Sequence, residues 1–233
     1  MPINLGGNEL NSLGTKLLND TSVLTNGLAL YFDAGIANSY PGSGTTWTDL
    51  SGDGWNGTLT NGPTYTTTNG GAIVFDGTND RVSTSFKPSG YRSYFIWVKY
   101  NIITGLSGGY SLTGTQEVNA YNYVGIENGG YFYYYFGTNG QQINSTVLSA
   151  NIWYCQGLTL SNDGNARAYL NGSLVSTLAS GVGNTATAEF SVGCINQSHF
   201  VNGNIGLVLQ YNRTLSATEV LQIFNTTRPR FGV

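Results

Sequence analysis

The sequence predicts an all-β chain, two antiparallel sheets packed face to face with one short helix near the C-terminus, and three observations predict it. Only 9% of the 233 residues are charged, while Gly, Asn, Thr, Ser and Tyr are abundant, a composition suited to short strands and tight turns. Turn dipeptides recur along the chain: Asn56-Gly57, Asn61-Gly62, Asn69-Gly70, Asp76-Gly77, Asn128-Gly129, Asn139-Gly140, Asp163-Gly164 and Asn171-Gly172. Between them lie about a dozen apolar and β-branched runs, enough for two packed sheets in one domain.

In chain order, residues 1–26 differ from the rest, being rich in Asn, Gly and Leu without strict alternation. Their "NELNSLGTKLLND" reads as a weak helix broken at Gly14 or as an extended arm. The break near Asn26-Gly27 separates an N-terminal arm, 1–26, from a β domain, 27–233, and the arm is expected to hold a neighbouring subunit. Strands are expected in "GLALYFDA", "AIVFDG", "RVSTSF", "SYFIWVKYN", "NYVGIE", "YFYYYFG", "IWYCQGLTL", "ARAYLNG", "SLVSTLA" and "EFSVG", each bounded by turn residues. In "NGNIGLVLQYN", Ile205, Leu207, Leu209 and Tyr211 alternate with Gly206, Val208 and Gln210, the period of a strand with one buried face. A helix follows. Ser216 and Glu219 form a capping box, Leu215 and Val220 a hydrophobic staple, and Val220, Ile223 and Phe224 share one face. Pro229 is expected to close it after two or three turns, too short to stand without the sheet.

A formal charge of −3, a pI near 4.9 and nine dispersed Lys and Arg provide no basic footprint, which excludes nucleic acid and an anionic membrane as primary partners. The first residues lack the charged and apolar regions of a secretion signal, and no stretch is apolar enough to span a bilayer. Cys155 and Cys194 lack metal-ligand spacing and read as buried free thiols, with a disulfide between them as the alternative.

Four segments carry a resemblance: "GLALYFDA", "AIVFDGTNDRV", "NIWYCQGLTLSNDGNARAYLNGSLV" and "GNIGLVLQYNRTLSATEVLQIFN". In that order they resemble the signature segments of laminin-G-like domains in the concanavalin A-like lectin and glucanase superfamily. The third is the most specific: Trp153, a strand, the Asn162-Asp163-Gly164 turn, and a strand ending in Tyr169-Leu170-Asn171-Gly172. The resemblance implies a jelly roll with the terminal helix packed at its margin. Versions that open with "MPINLGGN" and close with "RPRFG" look like structural proteins of tailed bacteriophages. That implies a non-enzymatic virion protein, a head decoration or tail appendage, made in the host cytoplasm and attached through its arm to other virion proteins or to its own copies. The alternative is a glycan-binding, lectin-like adhesion module directed at a cell surface; a glycoside hydrolase ranks third.

Candidate chemistry is sparse. Glucanases of this superfamily carry Glu-x-Asp-x-x-Glu on one strand, with the two acids about 5 Å apart in a retaining site. No such motif occurs; Glu117 and Glu127 are isolated, and His199 stands without a nucleophile elbow, so no catalytic residue is assigned. Asp76, Asn79 and Asp80 either cap a tight turn or, as the resemblance implies, hold a calcium ion. The family commonly has an acidic residue after the Ile of the strand before the helix, where this chain has Gly206. Tyr131, Tyr133 and Tyr135 alternate with Phe132, Tyr134 and Phe136, so one set faces the core. The other set packs across strands, stacks on sugars or forms an interface. Trp47 and Trp55, in "TTWTDLSGDGWNG", are the remaining aromatic candidates.

Overall fold

The structure is a computed structural model describing residues 23–104, 110–117, 120–137, 146–179, 188–194 and 199–233; for 110–117, 120–123 and 135–137 it describes the backbone alone. The arm expected over residues 1–26 falls outside the described residues up to position 22. Among the described residues the strands are β1 (Leu28–Asp33), β2 (Thr46–Trp47), β3 (Gly57–Thr60), β4 (Thr64–Thr66), β5 (Ala72–Asp76), β6 (Arg81–Ser83), β7 (Arg92–Tyr100), β8 (Tyr110–Glu117), β9 (Ala120–Glu127), β10 (Tyr131–Gly137), β11 (Trp153–Leu160), β12 (Asn165–Leu170), β13 (Ser173–Ala179), β14 (Ser191–Val192) and β15 (Asn202–Tyr211). One helix, α1 (Ala217–Phe231), follows.

The larger sheet runs β13-β12-β11-β7-β15-β5-β4, with β1 beside β15; the smaller runs β10-β9-β8-β14-β6-β3-β2. β1 and β5 lie end to end along β15, pairing with Leu207–Tyr211 and Asn202–Ile205 respectively. Between the sheets lies an aromatic core that includes Phe32, Trp47, Phe75, Phe132, Tyr134 and Phe190. A second core lies on the outer face of the larger sheet, where Phe95, Trp97, Leu209 and Tyr211 meet Ile223 and Phe231 of the helix.

β15 corrects the expectation of one buried face, because residues 203–211 are all buried. A register shift between Ile205 and Leu207 divides it between the cores, Ile205 and Val208 facing the inner one, Leu207, Leu209 and Tyr211 the outer. Gly206 sits at that shift because a Cβ there would lie 2.6 Å from the Phe231 ring.

The capping box is present: Ser216 accepts from the Glu219 N–H, and Glu219 accepts from the Ser216 N–H at 2.8 Å. Arg213, 2.7 Å from Glu219, together with the Ser216 contacts, holds that carboxyl down at about 2. The staple residues Leu215 and Val220 are both buried. The expected stop at Pro229 is corrected, since the helix runs on to Phe231 and ends at Gly232, which adopts φ 73°. Proline removes one helical donor. What holds the last turn is tertiary: Phe231 stacks on Trp97 with centroids 4.3 Å apart and leans on Trp153 at 4.8 Å. Arg230 pairs with Asp33 and donates to the carbonyls of Asn69 at 3.1 Å and Gly71 at 2.5 Å.

Phe224→Ala and Phe231→Ala should each destabilise the domain by about 3–5 kcal/mol, while Ser216→Ala should cost only about 1 kcal/mol. Urea unfolding measures both; a cap mutant as damaging as either ring deletion would contradict this docking.

Candidate functional site

Among the described residues, the two outer sheet faces differ in what covers them. Over the larger sheet lie α1 and the segment from Val23, with Leu24, Leu28 and Leu50 packed on its outer core. On the smaller sheet, Trp47, Leu59, Val82 and Val192 point to the inner core, so alternation turns Thr46, Thr58, Ser83 and Ser191 outward. Those four are in register with one another, and the row continues through the backbone positions of Gly114, Tyr123 and Tyr135. The next row down holds Thr60 beside Arg81 and, toward the other edge, Gly125 between Ser111 and Tyr133.

The hydroxyls on this face engage near neighbours. Ser191 Oγ donates to the Cys194 carbonyl at 2.8 Å, Thr60 Oγ1 to the Thr58 carbonyl at 3.3 Å, and Ser83 Oγ accepts from Arg81 Nε at 3.4 Å. Tyr131, at the margin, is 40% exposed; Tyr133 is buried to 7%, and Phe132 and Tyr134 belong to the inner core. Tyr131 pairs with Glu127 and bridges to Val147, itself an exposed aliphatic side chain. The side chain of Tyr135 lies outside the described residues.

The two tryptophans of the sequence reading occupy the sandwich body. Trp47 is fully buried and stacks on Phe32 at 5.1 Å, so it has no face left for a ligand. Trp55 is half-buried against Phe86 at 5.7 Å. Sequence reasoning missed what organises their loop. The Asp49 carboxylate accepts from the N–H groups of Tyr31 (2.9 Å), Ser51 (2.9 Å) and Trp55 (3.1 Å) and from Ser51 Oγ (2.7 Å). The signal was available, since an Asp two residues before a Ser in a Gly-rich run is an Asx-turn pattern.

Asp76 and Asp80 come together in the β5–β6 turn, each already engaged by backbone. Asp76 Oδ1 accepts from Thr78 N–H at 2.7 Å, Asp80 Oδ2 from Asp76 N–H at 3.0 Å, and the Asn79 carbonyl from Asn61 Nδ2 at 2.8 Å. Burial, then the nearby Asp76 charge, raise the Asp80 carboxyl above the usual range. Among the described residues no group of three or more His, Cys, Asp or Glu converges. The Glu117 side chain lies outside the described residues; Glu127 ends β9, and His199 is exposed in the loop before β15. Cys155 and Cys194 are buried and not joined in a disulfide, and burial pushes the Cys155 thiol up to about 12. No described helix is long and apolar enough to cross a membrane.

No protein-family model and no curated protein matches the chain. Solved structures do. Domain 4 of AbnA, a GH43 extracellular arabinanase from Geobacillus stearothermophilus solved with arabinotriose, superposes with a TM-score of 0.67 at 18% identity, over 84% of this chain and 97% of that one. The binding domain of Paraclostridial Mosquitocidal Protein 1 gives 0.68 at 14% identity, over 87% of this chain and 52% of that one. A Trypanosoma rangeli sialidase in complex with DANA gives 0.61 at 16% identity, over 87% of this chain and 33% of that one. At such identities the likeness shows the fold: a two-sheet antiparallel jelly-roll sandwich of concanavalin A-like type.

Because Asp76 and Asp80 already accept backbone N–H groups, calcium at on the order of 1 mM, the weak end of protein sites, should leave the melting temperature unchanged. A rise abolished by Asp76→Asn would establish a metal site.

Proposed function

We propose that the chain is a non-enzymatic carbohydrate-binding β-sandwich module that takes an oligosaccharide across the outer face of its smaller sheet. The observation that carries this is the asymmetry of the two faces among the described residues: α1 and residues 23–28 occupy one, and the other presents hydroxyls of β2, β3, β6 and β14 around Arg81, with the tyrosines of β10 four strands away. From β6 to β10 are four strand spacings, roughly 19 Å, the span of a short oligosaccharide rather than one sugar. Its floor is low along Gly125 and Gly114, and Tyr131 offers a ring at the margin for the apolar side of a pyranose. The fold is shared with a domain solved with arabinotriose and with toxin binding domains, one from a botulinum neurotoxin whose cell entry depends on ganglioside molecules, which agrees with this use. On a glycan array the protein should retain a defined set of oligosaccharides, and Tyr131→Ala should weaken the best about tenfold, the worth of one ring contact. Retention of no glycan would refute the reading.

We further propose that a virion carries the module through residues 1–22. The support is the resemblance of "MPINLGGN" and "RPRFG" to phage structural proteins. Val23 is buried on the helix side, and Arg213 Nε donates to the Asn26 carbonyl at 2.8 Å, so residues 23–26 pack on the β domain and the truncation is set before them. Deleting residues 1–22 should preserve folding and glycan retention while abolishing incorporation into particles; a truncated protein that incorporates like wild type would overturn the attachment.

A further inference from the structure

Among the described residues, Arg81 is the arginine on the smaller sheet's outer face that pairs with no carboxylate. Among the described arginines, Arg167, Arg213 and Arg230 pair with Asp163, Glu219 and Asp33. Arg92 is buried, its guanidinium held by Tyr94 Oη and the Gly90 carbonyl, and Arg228 lies over the Phe224 ring. Lys99 lies over Trp153. Arg81 is held by one long contact, 3.4 Å from Nε to Ser83 Oγ. The acids nearest in sequence do not neutralise it, because Asp80 and Asp76 turn into their own loop to accept N–H groups. A guanidinium is a planar fork whose natural partner is a carboxylate, and around this one stand Thr60, Thr58, Ser83 and Ser191, hydroxyls that suit a polyol.

Resting on the carbohydrate reading, we infer that the oligosaccharide taken by this face is acidic, and that Arg81 binds the carboxylate of a sialic or uronic acid while the β3, β6 and β14 hydroxyls receive its ring hydroxyls. The chain as a whole is acidic, with a formal charge of −3, so long-range attraction does not supply the preference; it is local to Arg81.

The test is calorimetry of the full chain with sialyllactose against lactose, and with trigalacturonate against galactotriose. At least one acidic member should bind about tenfold or more tighter than its neutral counterpart, the scale of one charge-assisted hydrogen bond. That margin should shrink with added salt. Arg81→Gln should remove the preference without lowering the melting temperature, and Arg81→Lys should restore part of it. Equal binding of acidic and neutral sugars, or a preference that survives Arg81→Gln, would overturn the inference and leave the carbohydrate reading standing. Binding of neither, with none retained on the array, would end both.

Discussion

Trp97, near the middle of β7, is the residue on which the outer architecture depends. Its indole lies between Phe224 and Phe231, with centroids 5.8 and 4.3 Å away and planes within 16° and 13° of parallel, and its Nε1–H donates to Thr227 Oγ1 at 2.7 Å. Positions 224, 227 and 231 share one helical face, so a single side chain of the sheet fixes the rotation and reach of α1. A 15-residue helix is marginal in water by itself, and its stability therefore comes from this docking. The sheet makes room in turn. Gly206 leaves space for Phe231, and Gly172, whose Cβ would lie 2.9 Å from Phe224, leaves space on the other flank.

The ion pairs rank below this apolar contact as sources of stability. Arg167–Asp163 is part-exposed on a turn, where solvent screening leaves such a pair little net worth. Arg230–Asp33 is different in kind, because both partners are largely buried and the guanidinium also serves backbone carbonyls. Burial of that sort yields little net stability but penalises removal of one partner, which makes the pair a device for position. It locks the last turn of α1 to the end of β1. In this way the closing "RPRF" stretch is accounted for by the fold itself, with Phe231 as the wedge and Arg230 as the bolt.

Much of the fold was legible because its signals are local. Ser216 and Glu219 fixed the helix start, and the turn dipeptides bounded runs such as "IWYCQGLTL", which became β11 with only its first residue shed. The parts that escaped are those decided by pairing. β2, β3 and β4 are two to four residues long and exist only because neighbouring strands receive them, which no local period announces. The helix end was misread because Phe231 finds its partner Trp97 far away in the chain. The site was the least legible. Thr46, Thr58, Ser83 and Ser191 form a row through register alone, and Arg81 matches no motif; it stands out once every other described arginine has been given its partner.

With one face of the sandwich closed by α1, the other face is the one proposed to take a ligand. This division of labour is the central claim, and residue-resolved NMR during a glycan titration tests it most directly. Amide signals of Thr58, Thr60, Arg81, Ser83 and Ser191 should move as sialyllactose or trigalacturonate is added, while those of Leu174, Leu221 and Arg228 on the helix side stay fixed. Shifts confined to the helix side, with the smaller sheet silent, would contradict the account.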